Sequence, residues 1–181
     1  MVTRYNYTTE TLGNLTDVMT TDAFIVQFAK IPSLSGTSTD LALRCSGVSL
    51  PGVSNQKVPV DIHGYQMYFR GKKTTGGGDI TLTFTEFKDV KVGKTLMSWH
   101  EFVVGTSTGN SKGYKSVYST TMTVTAFDVT GKAALQYRCF NVFPTSVPGV
   151  TLDSTNVTPM QLQCTFSTDY YLQVQPLVLP L

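Results

Sequence analysis

Residues 79–105, DITLTFTEFKDVKVGKTLMSWHEFVVG, change hydrophobic period once, and that change limits what the chain can fold into. Ile80, Leu82 and Phe84 alternate with Thr81, Thr83 and Thr85, so an extended segment has one apolar side and one hydroxyl side. Threonine and the β-branched and aromatic residues suit a pleated, half-buried surface. The period then becomes that of a helix. Val92, Leu96, Trp99 and Val103 fall at i, i+4, i+7 and i+11 and form one stripe, with Gly105 placed to end it. A two-faced strand followed by an amphipathic helix calls for a sheet whose apolar side is partly covered by that helix.

The same alternation recurs along the chain. Phe24, Val26 and Phe28 mark a strand in residues 22–32, ended by Pro32. Leu41, Leu43 and Cys45 suggest a second strand over residues 41–50. Residues 53–62 are extended but irregular, and Pro59 confines them to an edge or a projecting arm. Tyr65, Met67 and Phe69 alternate again, and RGKKTTGGGD then reads as a mobile, glycine-rich tip. A second loop, GTSTGNSKGYKS, follows the helix. Met122, Val124 and Ala126 alternate with Thr121, Thr123 and Thr125, and a Thr130-Gly131 turn leads into a return strand over 133–143. PTSVPG is expected to break that strand. The last strand, MQLQCTFSTDYYLQV, sets Leu162, Cys164 and Phe166 against Gln161, Gln163, Thr165 and Ser167. The expected organisation is an arm over 1–20, one domain over 21–175 and a short apolar tail over 176–181, in which Leu177, Val178, Leu179 and Leu181 are free to dock. Residues 1–20 are polar, with Leu12, Leu15 and Met19 spaced for a helical turn or an exposed arm.

Composition narrows the function. At 181 residues and 41% hydrophobic, the chain is long and apolar enough for one real core. Charged residues are only 14%, against roughly 25% in ordinary domains. Net charge is +2 with no dense Lys/Arg run, so sequence-independent phosphate binding is not indicated. No secretory leader and no membrane span are read from the sequence. Cys45, Cys139 and Cys164 are far apart and odd in number, which fits buried reduced thiols. His63 and His100 have no second ligand at metal spacing, GxxxxGK[ST] is missing, and there is no GxSxG elbow, since GTSTG at 105–109 follows the helix and not a strand. Glu86 and Asp89 are near one another without a visible partner to split their pKa values. No enzyme, metal or cofactor is expected.

The polar rows are more informative. A solvent-facing sheet normally carries Lys and Glu, and the Thr81/Thr83/Thr85, Thr121/Thr123/Thr125 and Gln161/Gln163/Thr165/Ser167 rows carry none. A sheet that continued into identical neighbours would also remove its exposed edges.

Five segments, FIVQFAKIP, CSGVSLPG, GGDITLTF, YRCFNVFPTSVPG and QLQCTFSTDYY, occur in this order over roughly residues 20–173. In order and spacing they resemble the T4-type tail tube proteins of contractile-tailed phages. The resemblance implies a mainly β fold: two packed antiparallel sheets, sandwich- or barrel-like, with one flanking helix. It implies that six copies form a ring with a continuous inner β-barrel, and that rings stack into a hollow tube within a sheath. DNA and a tape measure protein would pass through the lumen, and baseplate and tail terminator proteins would bound the tube. The tube would sit in the virion and assemble in the host cytoplasm. The alternatives are a baseplate-proximal tube initiator, a type VI secretion-like tube protein or, in a different class, a monomeric binding domain. On this reading the three polar rows line the lumen. Val53, Pro59, Lys72, Lys73, Gly76, Gly77 and Gly78 reach the adjacent ring. Lys91, Lys94 and Glu101 on the helix are candidates for the sheath.

Overall fold

The computed structural model describes residues 22–32, 38–74, 77–106, 109, 113–149, 155 and 158–174. Nine strands lie among the described residues: β1 (Phe24–Phe28), β2 (Cys45–Ser49), β3 (Ser54–Ile62), β4 (Tyr65–Thr74), β5 (Gly78–Thr85), β6 (Thr120–Phe127), β7 (Ala133–Ser146), β8 (Gln161–Thr168) and β9 (Tyr170–Val174). Three helices join them: α1 (Ser38–Arg44), α2 (Lys91–Val103) and α3 (Lys115–Tyr118). Seven strands form one antiparallel sheet in the order β1-β6-β7-β8-β5-β2, with β9 also on β7. Among the described residues β3 and β4 pair only with each other.

The sheet folds over on itself through β7. The first part of this 14-residue strand pairs with β6 and β9, and Phe143–Ser146 pairs with β8. The β6–β7 register slips between Thr120 and Met122, beside Asn141 at φ 56°. Such a bulge bends a strand and tightens its twist. The two halves therefore face each other as a sandwich. Val26, Phe28, Met122 and Val124 from one half meet Ile80, Leu82, Phe84, Leu162, Cys164 and Phe166 from the other in a single buried core.

Helix α2 closes this core as its stripe requires. Val92, Thr95, Leu96 and Trp99 are its buried residues. The Trp99 ring meets Phe28 edge-on at 5.7 Å and lies 5.7 Å from Phe166. Its indole N–H donates to the Tyr118 carbonyl at 2.9 Å, so the one polar atom of the side chain is satisfied. The helix has no capping side chain at Val90, whose φ is 49°. Glu86 does that work from outside. Its buried carboxylate accepts N–H bonds from Phe87 (3.1 Å), Val92 (3.3 Å) and Gly93 (2.6 Å). An anion at the helix start also suits the helix dipole.

Three expectations are corrected. Residues 41–44 belong to α1, and the strand begins only at Cys45. Leu41 is buried while Leu43 is 76% exposed, which an alternating strand would not give. α1 is held by Arg44, which makes two 2.6 Å bonds to Asp89, and by Asp40, 3.6 Å from Lys91. Second, β7 runs through Pro144 to Ser146, where PTSVPG was expected to break it. Pro144 is buried opposite Phe166. Third, the last strand divides at Asp169 into β8 and β9, which pair with different parts of β7. Residues 1–20 and 176–181 lie outside the described residues.

Candidate functional site: the assembly surfaces

The hydroxyl and amide rows occupy two faces. Across β5 and β8, Thr81 stands opposite Thr165, Thr83 opposite Gln163 and Thr85 opposite Gln161, while Ser167 stands opposite Asp79. All alternate with core residues and so project from the outer side of that half-sheet. Gln161 and Gln163 are exposed, and the threonines and Ser167 are half-buried. Neighbouring side chains tie into the strands: Ser46 Oγ donates to the Thr83 carbonyl (3.3 Å) and Thr145 Oγ1 to that of Thr165 (3.1 Å). Asp79 is the one charged residue of these two strands.

Thr121, Thr123 and Thr125 lie instead on the outer side of the other half. Thr123 stands between Gln27 of β1 and Arg138 of β7. Thr125 is buried at 6% exposure and accepts a 3.2 Å bond from Gln136 Nε2. β6 and β5 are three places apart in the strand order, and their inner residues share one core. Their polar rows therefore leave that core in different directions. A period of two looks the same on either half, so sequence spacing could not separate them.

The β3–β4 hairpin is a second surface. All nine residues of β3 are exposed. Val58, Val60, Ile62, Met67 and Phe69 are 39–50% exposed and Tyr65 78%, an unusual amount of open apolar surface on one element. Val53 precedes the hairpin, Pro59 lies in β3, and Lys72 and Lys73 lie in β4, all exposed. Gly77 and Gly78, however, are at the root and not the tip. The tip is His63-Gly64, at φ 49° and 81°, as a two-residue turn between twisted strands requires. Gly76 lies outside the described residues. A Cβ on Gly77 would overlap the Asp169 carbonyl, and Gly78 takes φ 142°. These glycines let the hairpin leave the body close beside the β8–β9 junction.

That junction is held by charge. Asp169 accepts from Lys115 Nζ and from Asn141 Nδ2 (2.7 Å), and both bonds hold its carboxyl below the usual range. Asp89 is likewise pulled well down by the paired Arg44 guanidinium, a partner the sequence did not reveal. Burial pushes the Cys139 and Cys164 thiols up to about 12 and Cys45 to about 11, so none is a nucleophile near neutrality. His63 is in the hairpin turn and His100 in α2. Among the described residues no three His, Cys, Asp or Glu are grouped to hold a metal, and no helix is long and apolar enough to cross a membrane.

Residues 17–174 match the family described as phage tail tube protein. The chain belongs to that family. A tail tube protein is a structural subunit of a phage tail, and the antiparallel two-layer fold agrees with this assignment. No curated protein matches the chain. Among solved structures it is similar to a chain of the extracellular contractile injection system PVC sheath–tube complex in its extended state. The two are 16% identical, with TM-score 0.62, covering 87% of this tail tube protein and 92% of that chain. A chain of the PVC sheath/tube terminator is 15% identical, with TM-score 0.65, and covers 88% and 99%. A chain of the anti-feeding prophage tube-terminating cap is 15% identical, with TM-score 0.63, and covers 89% and 93%. At these identities the likeness is one of fold.

Proposed function

We propose that six copies of this tail tube protein form a ring, and that rings stack within a contractile sheath into the conduit for DNA. The observation that carries this is the outer face of β5 and β8. Thr81, Thr83, Thr85, Gln161, Gln163, Thr165 and Ser167 form a polar surface with almost no charge. On this reading that face lines the bore. Thr121, Thr123 and Thr125 point away from it, toward the tube exterior or a neighbouring subunit. A wall of small neutral groups offers the phosphates of passing DNA no cation to hold them.

Unpaired edges support the ring. Among the described residues β1 and β2 are hydrogen-bonded on one side only, which leaves ladders for adjacent copies. The hairpin, with Val53, Pro59, Lys72 and Lys73 on or beside it, contacts the next ring and covers its apolar residues there. Sheath, baseplate and tail terminator proteins bound this tube, a tape measure protein occupies it before DNA, and assembly takes place in the host cytoplasm. The domain performing this is 21–175. Electron microscopy of the purified protein tests the reading. Long hollow tubes are expected; isolated rings would favour a tube initiator, and monomers at high concentration would refute ring formation.

A further inference from the structure

An apolar groove of about 660 Å³ opens between the first half-sheet and the β2 segment. Its floor is Val124, 4% exposed, and its walls include Phe24, Val48, Leu50, Leu135 and Tyr171. These wall residues are half-buried and continuous with the core, so the groove is an unfinished edge of it. Tyr171 is fixed across its mouth, its hydroxyl donating to the Pro51 carbonyl at 2.8 Å.

We propose that the leucines of residues 177–181 of the same subunit complete this core by docking into the groove. Strand β9 aims the chain there. Val174 stands opposite Gln136, so the next position comes level with Leu135, a groove residue. Tyr171 turns to the groove, and an extended continuation sets Leu177, Leu179 and Leu181 on that side and the equally apolar Pro176, Val178 and Pro180 on the other. Residues 175–181, QPLVLPL, carry no charge. Seven extended residues reach at most about 23 Å from Val174, and to enter the groove they turn off the β9 line, which would otherwise carry them past Leu135 toward Ala133. Leucine side chains laid on half-wet apolar walls gain transfer free energy roughly in proportion to the area covered. The apolar run over residues 176–181 has no use in the conduit described above, and the inference does not depend on that reading.

The test is photocrosslinking of the full chain in dilute solution, with p-benzoylphenylalanine at position 179 and mass spectrometry of the adducts. Adducts within residues 46–52 or 135–137 of the same chain are expected. No adduct, adducts elsewhere, or a crosslinked dimer would overturn the proposal, the dimer by assigning the groove to another copy's segment. A second measurement uses Leu177→Ser with Leu179→Ser, which leaves the chain length intact. The thermal midpoint should fall by about 3–6 °C, and an apolar dye should bind where it did not before. An unchanged midpoint without dye binding contradicts docking.

Discussion

Glu86 shows how much one side chain can settle. The start of α2 has neither a capping hydroxyl at Val90 nor an acid in its first turn. A carboxylate four residues before Val90 supplies both functions by accepting three backbone N–H bonds. Glu86→Ala would leave the buried Val92 N–H and the part-buried Gly93 N–H without their acceptor, so a loss of about 1–3 kcal/mol is expected in urea unfolding of the isolated subunit. Asp89 and Asp169 make a separate prediction. Both have folded pKa values below their unfolded values, Asp89 through Arg44 and Asp169 through Lys115 and Asn141. Their contribution is therefore complete above the unfolded value, near 3.9, and is lost as pH falls from there toward the folded values. Thermal midpoints measured from pH 6 downward should drop below about pH 4, and the drop should be shallower in Asp89→Asn. An equal slope in wild type and variant would mean that the Arg44 pair contributes nothing to acid stability.

At the scale of elements, α2 and strands β1, β5, β6 and β8 were legible because each carries a full period of apolar residues against a polar side. Most of their buried apolar residues are ones the pattern names, from Val26 and Phe28 to Leu162 and Phe166, although Thr95 and Thr125 are buried as well and Phe24, Val103 and Ala126 are only half-buried. α1 was not legible. Leu41, Leu43 and Cys45 satisfy a period of two over five positions, and a helix of seven residues offers too few turns to contradict it. The hairpin was half legible. Pro59 and the alternation of Tyr65, Met67 and Phe69 marked a projecting arm, but the three glycines suggested the wrong end of it. The closeness of Gly77 to Asp169 shows that it serves the root. No described residue of this element belongs to the buried core, so charge on it should spare the fold. Met67→Glu with Phe69→Glu is expected to shift the thermal midpoint of the subunit by no more than about 1 °C and to reduce tube length and number in micrographs at least tenfold. Normal tubes from this variant would assign stacking to other segments.

For the whole molecule, the useful distinction is between its two outer faces. Their threonine rows have the same spacing, and only the curl of the sheet about one core separates them. Lysines test which one meets DNA. Thr83→Lys, Gln163→Lys and Thr165→Lys together are expected to permit assembly and slow genome ejection in an infection assay, with partial recovery at higher salt. Thr121→Lys and Thr123→Lys should leave ejection near the unmodified rate. The opposite outcome would place the β6 row in the bore.

Because β7 is one unbroken strand belonging to both halves, the two layers cannot slide past one another without tearing its ladders to β6, β8 and β9. A push on one layer is thus delivered to the other through covalent backbone instead of through side-chain contacts alone. On the conduit reading proposed above, such a backbone spine suits a shaft driven lengthwise against resistance, and the first hydrogen bonds expected to yield under load are the few that join Phe143–Ser146 to β8.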